Sequence, residues 1–216
     1  MRSCTTTLGT ARSRIVLLRH GRTQWNAIGR LQGHSDVPLD PVGVEQAGQA
    51  AQRLTSAFTF GQVVSSDLIR AVDTAQAVAQ QAGVAVNTDA RLRERSFGFW
   101  EGLTREEILE RWPHEYGLWR AGHDLDAPQL GIESRAHAAY RYAQAVVDHA
   151  AACDASQDLL VVSHGAVTTV GITALLGMDA GQWKGLGGLD NAHWTVLEAN
   201  SAGASPSWRL TAHNVG

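Results

Sequence analysis

Two segments of the 216-residue chain place a histidine and a glycine directly after a run of strand-forming apolar residues. The first is LLRHGRTQWN, residues 17–26, with Arg19, His20 and Gly21 at the junction. The second is VVSHG, residues 161–165, ending in His164 and Gly165. In an open α/β sheet, ligand-holding groups sit beyond the carboxyl ends of strands. Parallel neighbouring strands would therefore bring both imidazoles to one edge. Glycine after each histidine removes Cβ bulk and lets a ligand approach the backbone. A third segment, SSDLIRAVDTA, residues 65–75, sets Arg70 in the first turn of a helix, where anions are already favoured. A fourth, LRERSFGFWEG, residues 92–102, carries Glu94 with Arg91, Arg93 and Arg95 around it. A carboxyl beside an anion-binding cluster can serve as a general acid.

Taken singly, each feature has an ordinary structural explanation. A strand-end histidine packs in place, Arg70 rides a helix surface, and Glu94 sits in a surface ion pair. The four together, in fixed order and each after a strand, make the candidate site.

The elements that must position these residues follow from pattern. Short β-rich runs alternate with longer Ala-rich stretches, which implies an α/β sheet. Arg14–Leu18, Gln62–Ser65, Val84–Val86 and Asp158–Val162 read as strands. Ala192–Glu198 and Trp208–Ala212 read as late strands at sheet edges. Asp40-Pro41 supplies an N-cap and a first-turn proline for a helix to about Thr55. Ser66 or Asp67 is expected to cap the next helix, which stops at Gly83. Thr104 and Glu107 have capping-box spacing. Residues 112–131 read as a loop or small cap. A long helix over Glu133–Ala152, capped by the Glu133-Ser134 pair, and another over Val167–Leu176 complete the set.

Composition narrows the function classes. The formal net charge is −3, from 18 basic and 21 acidic residues, so a whole-chain basic footprint for nucleic acid is absent. Lys184 is the one lysine, so any bound anion must be held mainly by arginine, whose fork suits phosphate or carboxylate. Cys4 and Cys153 form neither metal spacing nor a disulfide framework, which agrees with a reducing, cytoplasmic compartment. No metal-ligating cluster or cofactor motif is evident. Residues 1–13 read as a loose tail before a domain spanning 14–216. Residues 159–178 lack Asp, Glu, Lys and Arg over a membrane-spanning length, but Ser163-His164-Gly165 interrupts them. A buried strand, a turn and a buried helix are expected there, with no membrane partner.

The combination resembles the histidine phosphatase superfamily, also called phosphoglycerate-mutase-like. The motifs that carry it are RHG with Thr23 and Asn26, RLQG at 30–33, SSDLIRAVDTA, FGFWEG and the later SHG. The resemblance runs from about Arg14 to Asn214. It implies a three-layer α/β/α sandwich with a mostly parallel sheet and a cap insertion near 96–131. It also implies a metal-independent phosphatase acting on a small phosphorylated metabolite, with a homodimer possible. In that scheme His20 attacks phosphorus and becomes phosphohistidine. Nearby arginines depress its pKa, keeping it neutral. Arg19, Arg70 and His164 surround the phosphoryl oxygens. Glu94 protonates the leaving oxygen and then helps activate water. Asn26, Gln32, Thr23, Gly165 and Leu210 match or neighbour substrate-binding positions.

Within the superfamily, APQLGIESR (127–135), GGLDNAHWTVL (187–197) and SWRL (207–210) resemble an actinobacterial branch that dephosphorylates glucosyl-3-phosphoglycerate. Ile132 and His193 depart from that branch, which has Gly and Ser there. A broad-specificity phosphomonoesterase and a cofactor-dependent phosphoglycerate mutase are the alternatives. The mutase branch reads YGALQG-like after its glutamate and carries extra basic residues; FGFWEG with no lysine favours a phosphatase. A non-catalytic binding module would be expected to have lost one of His20, Arg70, Glu94 or His164. Trp100, Trp112 and Trp119 read as core of the cap, with an apolar wall over the leaving group as the functional alternative. His34 reads as a solvated loop residue, and His114, His123, His137, His149 and His213 as spectators.

Overall fold

The computed structural model describes residues 14–125, 127–201 and 203–216. The expected loose tail over 1–13, with Cys4, lies outside the described residues. Six strands form one sheet: β1 Arg14–Arg19, β2 Phe60–Ser65, β3 Val86–Thr88, β4 Asp158–Ser163, β5 Trp194–Ala199 and β6 Trp208–Val215. Their order is β3-β2-β4-β1-β5-β6. The first four in that order are mutually parallel, while β5 runs antiparallel to β1, and β6 to β5. The mixed sheet and its helical layers give the α/β architecture implied by the resemblance. One expectation is corrected: β5 lies inside the sheet between β1 and β6, so only β6 of the late strands is an edge.

β1 and β4 are apolar at every interior position because helices cover both faces. Ile15 and Leu17 of β1, with Leu159 and Val161 of β4, pack against α6 (Arg135–Ala152) and α7 (Gly165–Leu175). Val16, Leu18, Leu160 and Val162 face the other way, onto α2 (Pro41–Ala57) and α3 (Ile69–Ala82). Alanines on the helices allow close approach: Ala47, Ala50 and Ala51 of α2 and Ala71, Ala75 and Ala79 of α3 are buried.

Local signals explain the helix starts. Asp40 caps α2, its Oδ1 accepting from the Gly43 N–H at 2.8 Å, with Pro41 in the first turn. Thr104 and Glu107 form the capping box of α4 (Arg105–Arg111), and Ser134 caps α6. Helix α3 starts differently from expectation. Leu68 is its N-cap, without a side-chain cap bond, because Asp67 pairs with Arg93 and the Ser66 hydroxyl is engaged with His164. Its end at Gly83 is left-handed, φ 71°. The third strand falls at 86–88, two residues later than its apolar run.

Residues 112–131 are more regular than a loop. They hold α5 (Pro113–Arg120) and a 3-10 turn over Pro128–Leu130. Phe97, Trp100, Ile108, Tyr116, Leu125, Leu130 and Ile132 form a third apolar cluster there. Trp100 is fully buried, its ring 6.0 Å from Trp119 and nearly perpendicular to it. A short helix, α1 (Gln24–Ala27), follows the first His-Gly junction, where no helix is expected from sequence. The charge-free stretch from 159 resolves into β4, a turn and α7. No helix among the described residues is long and apolar enough to cross a membrane.

Candidate active site

The parallel register between β1 and β4 pairs Arg19 with Ser163, so the residues that follow, His20 and His164, emerge side by side. Their ring centroids lie 5.1 Å apart, with the planes at 62°. The His20 N–H donates to the Ser163 carbonyl at 2.9 Å, extending the ladder one residue past the strand. Gly21 then passes close to α2. A Cβ on Gly21 would stand 2.4 Å from the Gly43 carbonyl oxygen, so both glycines are needed for that approach. The Gly21 N–H donates to Thr74 Oγ1 at 3.1 Å, tying the junction to α3.

The His20 tautomer is set by its partner. Nδ1 lies 2.7 Å from the Gly21 carbonyl, which only accepts, so Nδ1 carries the hydrogen and Nε2 keeps the lone pair. Burial is the main reason that its pKa falls well below the usual imidazole value, with Arg70 and Arg19 adding to the effect. The sequence identified the arginines but not the larger contribution, burial.

Arg70 is buried, and burial pulls its pKa down to about 10 despite Glu94, Asp36 and Glu101 nearby. Its Nη1 and Nη2 donate to the Ser35 and Gly33 carbonyls, both at 2.8 Å, and its Nε to His164 Nδ1 at 3.2 Å. With Nδ1 accepting, Nε2 of neutral His164 donates to Ser66 Oγ at 2.8 Å. Both ring nitrogens of His164 are thus engaged by protein groups. Its bond to Arg70 joins it to a residue that lines the cleft.

A cleft of about 590 Å³ opens over this edge, lined among others by Arg19, His20, Asn26, Gln32, Arg70, Glu94 and Gly165. Two buried polar atoms of these residues lack a partner: Arg19 Nε and Gln32 Oε1. Such atoms are costly to leave unsatisfied, about 1–3 kcal/mol each. Both atoms belong to cleft-lining residues and are themselves shielded from solvent. A Cβ on Gly165 would come within 3.4 Å of the Arg19 guanidinium, so this glycine keeps its flank open. Asn26 Oδ1 is held by the Thr23 N–H and by Asn191 Nδ2, at 3.1 and 3.3 Å.

Glu94 sits at the N-terminus of α7. Its Oε1 accepts from the Val167 and Arg95 N–H groups at 2.7 and 2.8 Å, and its Oε2 from Ala166 at 3.0 Å. The expected ring of arginines around it is largely absent. Arg91 turns to Asp89 and Asp148, and Arg93 to Asp67, because acids stand within reach on the outer surface. Of the three, Arg95 alone lines the cleft.

Thr23 and Leu210 are not brought to the cleft. Thr23 is buried as the N-cap of α1, and Leu210 pairs with Leu197 on β6 and packs on the core. His34 is not simply solvated: Nε2 lies 2.8 Å from the Glu94 carbonyl. His123, read as a spectator, lines the cleft with Trp119, whereas Trp100 belongs to the cap core. Ile132 is buried in that core beside Phe97. Arg30, Arg105 and Arg135 also line the cleft; Arg30 and Arg135 fall within RLQG and APQLGIESR, but sequence assigned none of the three a role. Among the described residues, no three His, Cys, Asp or Glu side chains gather as a metal-holding group.

Sequence and structure comparisons agree with this architecture. The profile of the histidine phosphatase superfamily (branch 1) matches residues 15–214, and the chain belongs to that family of phosphoric monoester hydrolases. It is 36% identical over 214 residues to a glucosyl-3-phosphoglycerate phosphatase of Mycolicibacterium vanbaalenii, covering 93% of this chain and 94% of the relative. A mycobacterial glucosyl-3-phosphoglycerate phosphatase solved with VO3 superposes with a TM-score of 0.86 at 36% identity, covering 94% of this chain and 100% of that one. A phosphoserine phosphatase from Entamoeba histolytica, solved with 3-phosphoglyceric acid, gives 0.80 at 30% identity, covering 94% and 98%.

Proposed function

We propose that the protein hydrolyses a phosphomonoester through a phosphohistidine on His20, without a metal, and that the ester is glucosyl-3-phosphoglycerate. The observation that carries the mechanism is the His20 ring. Its Nδ1–H is held by the Gly21 carbonyl, leaving Nε2 as the nucleophile in a ring whose burial and cationic neighbours favour the neutral form. In the first step the Nε2–P bond forms as the P–O bond to the alcohol breaks, and a proton on Glu94 passes to the leaving oxygen. In the second, water attacks phosphorus, its proton returns to Glu94, and the Nε2–P bond breaks. Arg19 and Arg70, which line the cleft beside His20, stabilise the charge on the phosphoryl oxygens. His164 acts through Arg70, whose Nε it fixes.

The cleft supports the choice of ester. At about 590 Å³ it is far larger than a phosphate group. Its lining also includes Arg95, Arg105 and Arg135, together with Phe97 and Trp119. Guanidinium groups suit the carboxylate of a glycerate, and an indole offers a flat face to a sugar ring. The curated relative named above is a phosphatase for that ester.

The test is phosphate release in excess chelator from glucosyl-3-phosphoglycerate, mannosyl-3-phosphoglycerate, 3-phosphoglycerate and 4-nitrophenyl phosphate, with His20→Ala as control. Preference for the glucosylated ester, abolished in the control, is expected. Even activity over the panel would reduce the reading to a broad phosphatase. No release, together with phosphoryl exchange between phosphoglycerates, would make the protein a mutase.

A further inference from the structure

Glu94 lies in a stretch, residues 94–96, without regular secondary structure. The N–H groups of Ala166 and Val167 hold the carboxylate itself. The backbone that carries it is held by Arg141, from the middle of α6. Its Nη1 donates to the Arg91 and Arg93 carbonyls, both at 2.7 Å, and its Nη2 to the Glu94 carbonyl at 2.9 Å. The Nε and the other Nη2 hydrogen hold the two carboxylate oxygens of Glu133, at 2.7 and 2.8 Å. A guanidinium has five N–H donors, and here all five are used.

Glu133 closes the frame from the other side. Its carboxylate accepts from the Ser96 N–H, its own N–H donates to the Ser96 carbonyl, and its carbonyl accepts from Arg95 Nε. One part-buried ion pair thus holds the backbone of 91, 93, 94 and 96, and neither of its members lines the cleft. A surface pair of this kind would contribute little. This one is 15% and 10% exposed, bidentate, and spends three donors on the backbone that carries the carboxyl.

We propose that Arg141, braced by Glu133, is a positioning residue for proton transfer by Glu94. The inference rests on the reading of Glu94 as the acid that protonates the leaving oxygen. Misplacing a reacting group by about 1 Å can cost about 100-fold. Lysine carries its three donors on one nitrogen and cannot span three carbonyls and a carboxylate, so Arg141→Lys should release the segment while keeping the charge.

The test exploits the leaving group. An alkyl alcohol needs its proton as the P–O bond breaks; nitrophenolate does not. kcat/KM reports events up to alcohol release, so it is compared for 4-nitrophenyl phosphate and for the best alkyl ester of the panel. For Arg141→Lys the alkyl ester should lose about 30-fold and the aryl ester less than about 3-fold. Glu133→Gln, a milder change, should show the same split at smaller size. Inhibition by inorganic phosphate should stay within about twofold in both, since Arg19 and Arg70 are untouched. Glu94→Gln is the reference and should show the largest split. If it discriminates between esters while Arg141→Lys and Glu133→Gln lose both equally, or lose neither, the positioning role is wrong and Arg141 is structural. If Glu94→Gln itself shows no split, the acid role fails and this proposal falls with it. Should Arg141→Lys not fold, Glu133→Gln decides alone.

Discussion

Arg70 donates its Nε–H to Nδ1 of His164 at 3.2 Å, and this one bond decides which nitrogen of the ring carries the hydrogen. A cation that donates to an imidazole also opposes its protonation, and His164, like His20, is held well below the usual imidazole pKa, first by burial and then by Arg70. The same guanidinium holds the Gly33 and Ser35 carbonyls, so it joins α3, the end of β4 and the loop after Gln32.

Replacing Arg70 by lysine keeps a charge but loses this fork. kcat should fall about 100- to 1,000-fold, as for the loss of a main oxyanion-stabilising group. Steady-state kinetics on the preferred ester checks this. A loss under tenfold would mean that Arg19 alone stabilises the phosphoryl oxygens.

Both buried histidines should make acid conditions unfavourable to the fold. Their folded pKa values lie below the unfolded value near 6.5, so the unfolded chain binds more protons as pH drops through that value. Their contribution is complete above about pH 6.5 and is lost progressively towards the lower folded values. Urea midpoints should therefore fall from pH 7.5 to pH 5. In NMR titrations the His20 and His164 ring signals should still be those of neutral imidazole at pH 6. A His20 signal titrating near 6.5 would remove the basis for a neutral nucleophile.

The contact between Gly21 and Gly43 has no room for a methyl group: on Gly43 it would lie 1.9 Å from the Arg22 carbonyl oxygen. Gly43→Ala should destabilise the protein by about 1–3 kcal/mol, as overpacking does. It should also reduce activity, since the displaced backbone carries His20. Denaturant unfolding and kcat on the same preparation test both. Unchanged stability would show that α2 can shift freely from β1.

Gln32 has a buried Oε1 with no partner and lines the cleft. If substrate supplies that partner, Gln32→Ala should raise KM about 3- to 10-fold, the worth of one hydrogen bond, with a smaller effect on kcat. A change in kcat alone would place the side chain at the transition state instead.

Much of this arrangement was legible in the sequence for identifiable reasons. β1 and β4 are apolar at every interior position because both faces are covered, and each ends in a His-Gly pair that marks its carboxyl end. Asp40-Pro41 and the Thr104/Glu107 box announce helix starts through side-chain chemistry alone. Other features depend on three-dimensional neighbours. Arg91 and Arg93 look like part of an anion cluster beside Glu94, yet Asp89, Asp148 and Asp67 draw them to the surface. Ser66, expected as a helix cap, instead accepts the Nε2–H of His164, a partner that the sequence gives no sign of. Arg141 is one more arginine on an Ala-rich helix until the carbonyls of 91, 93 and 94 are seen against it.

The central claim is that His20 Nε2 carries the phosphoryl group. It is tested most directly by quenching a turnover reaction in alkali within its first milliseconds and mapping phosphorylated peptides by mass spectrometry. The phosphoryl group should appear on the peptide containing His20, disappear on acid treatment, and be absent from His20→Ala, which should release no phosphate. Full phosphate release with no phosphorylated His20 peptide, or sustained turnover by His20→Ala, would contradict the account.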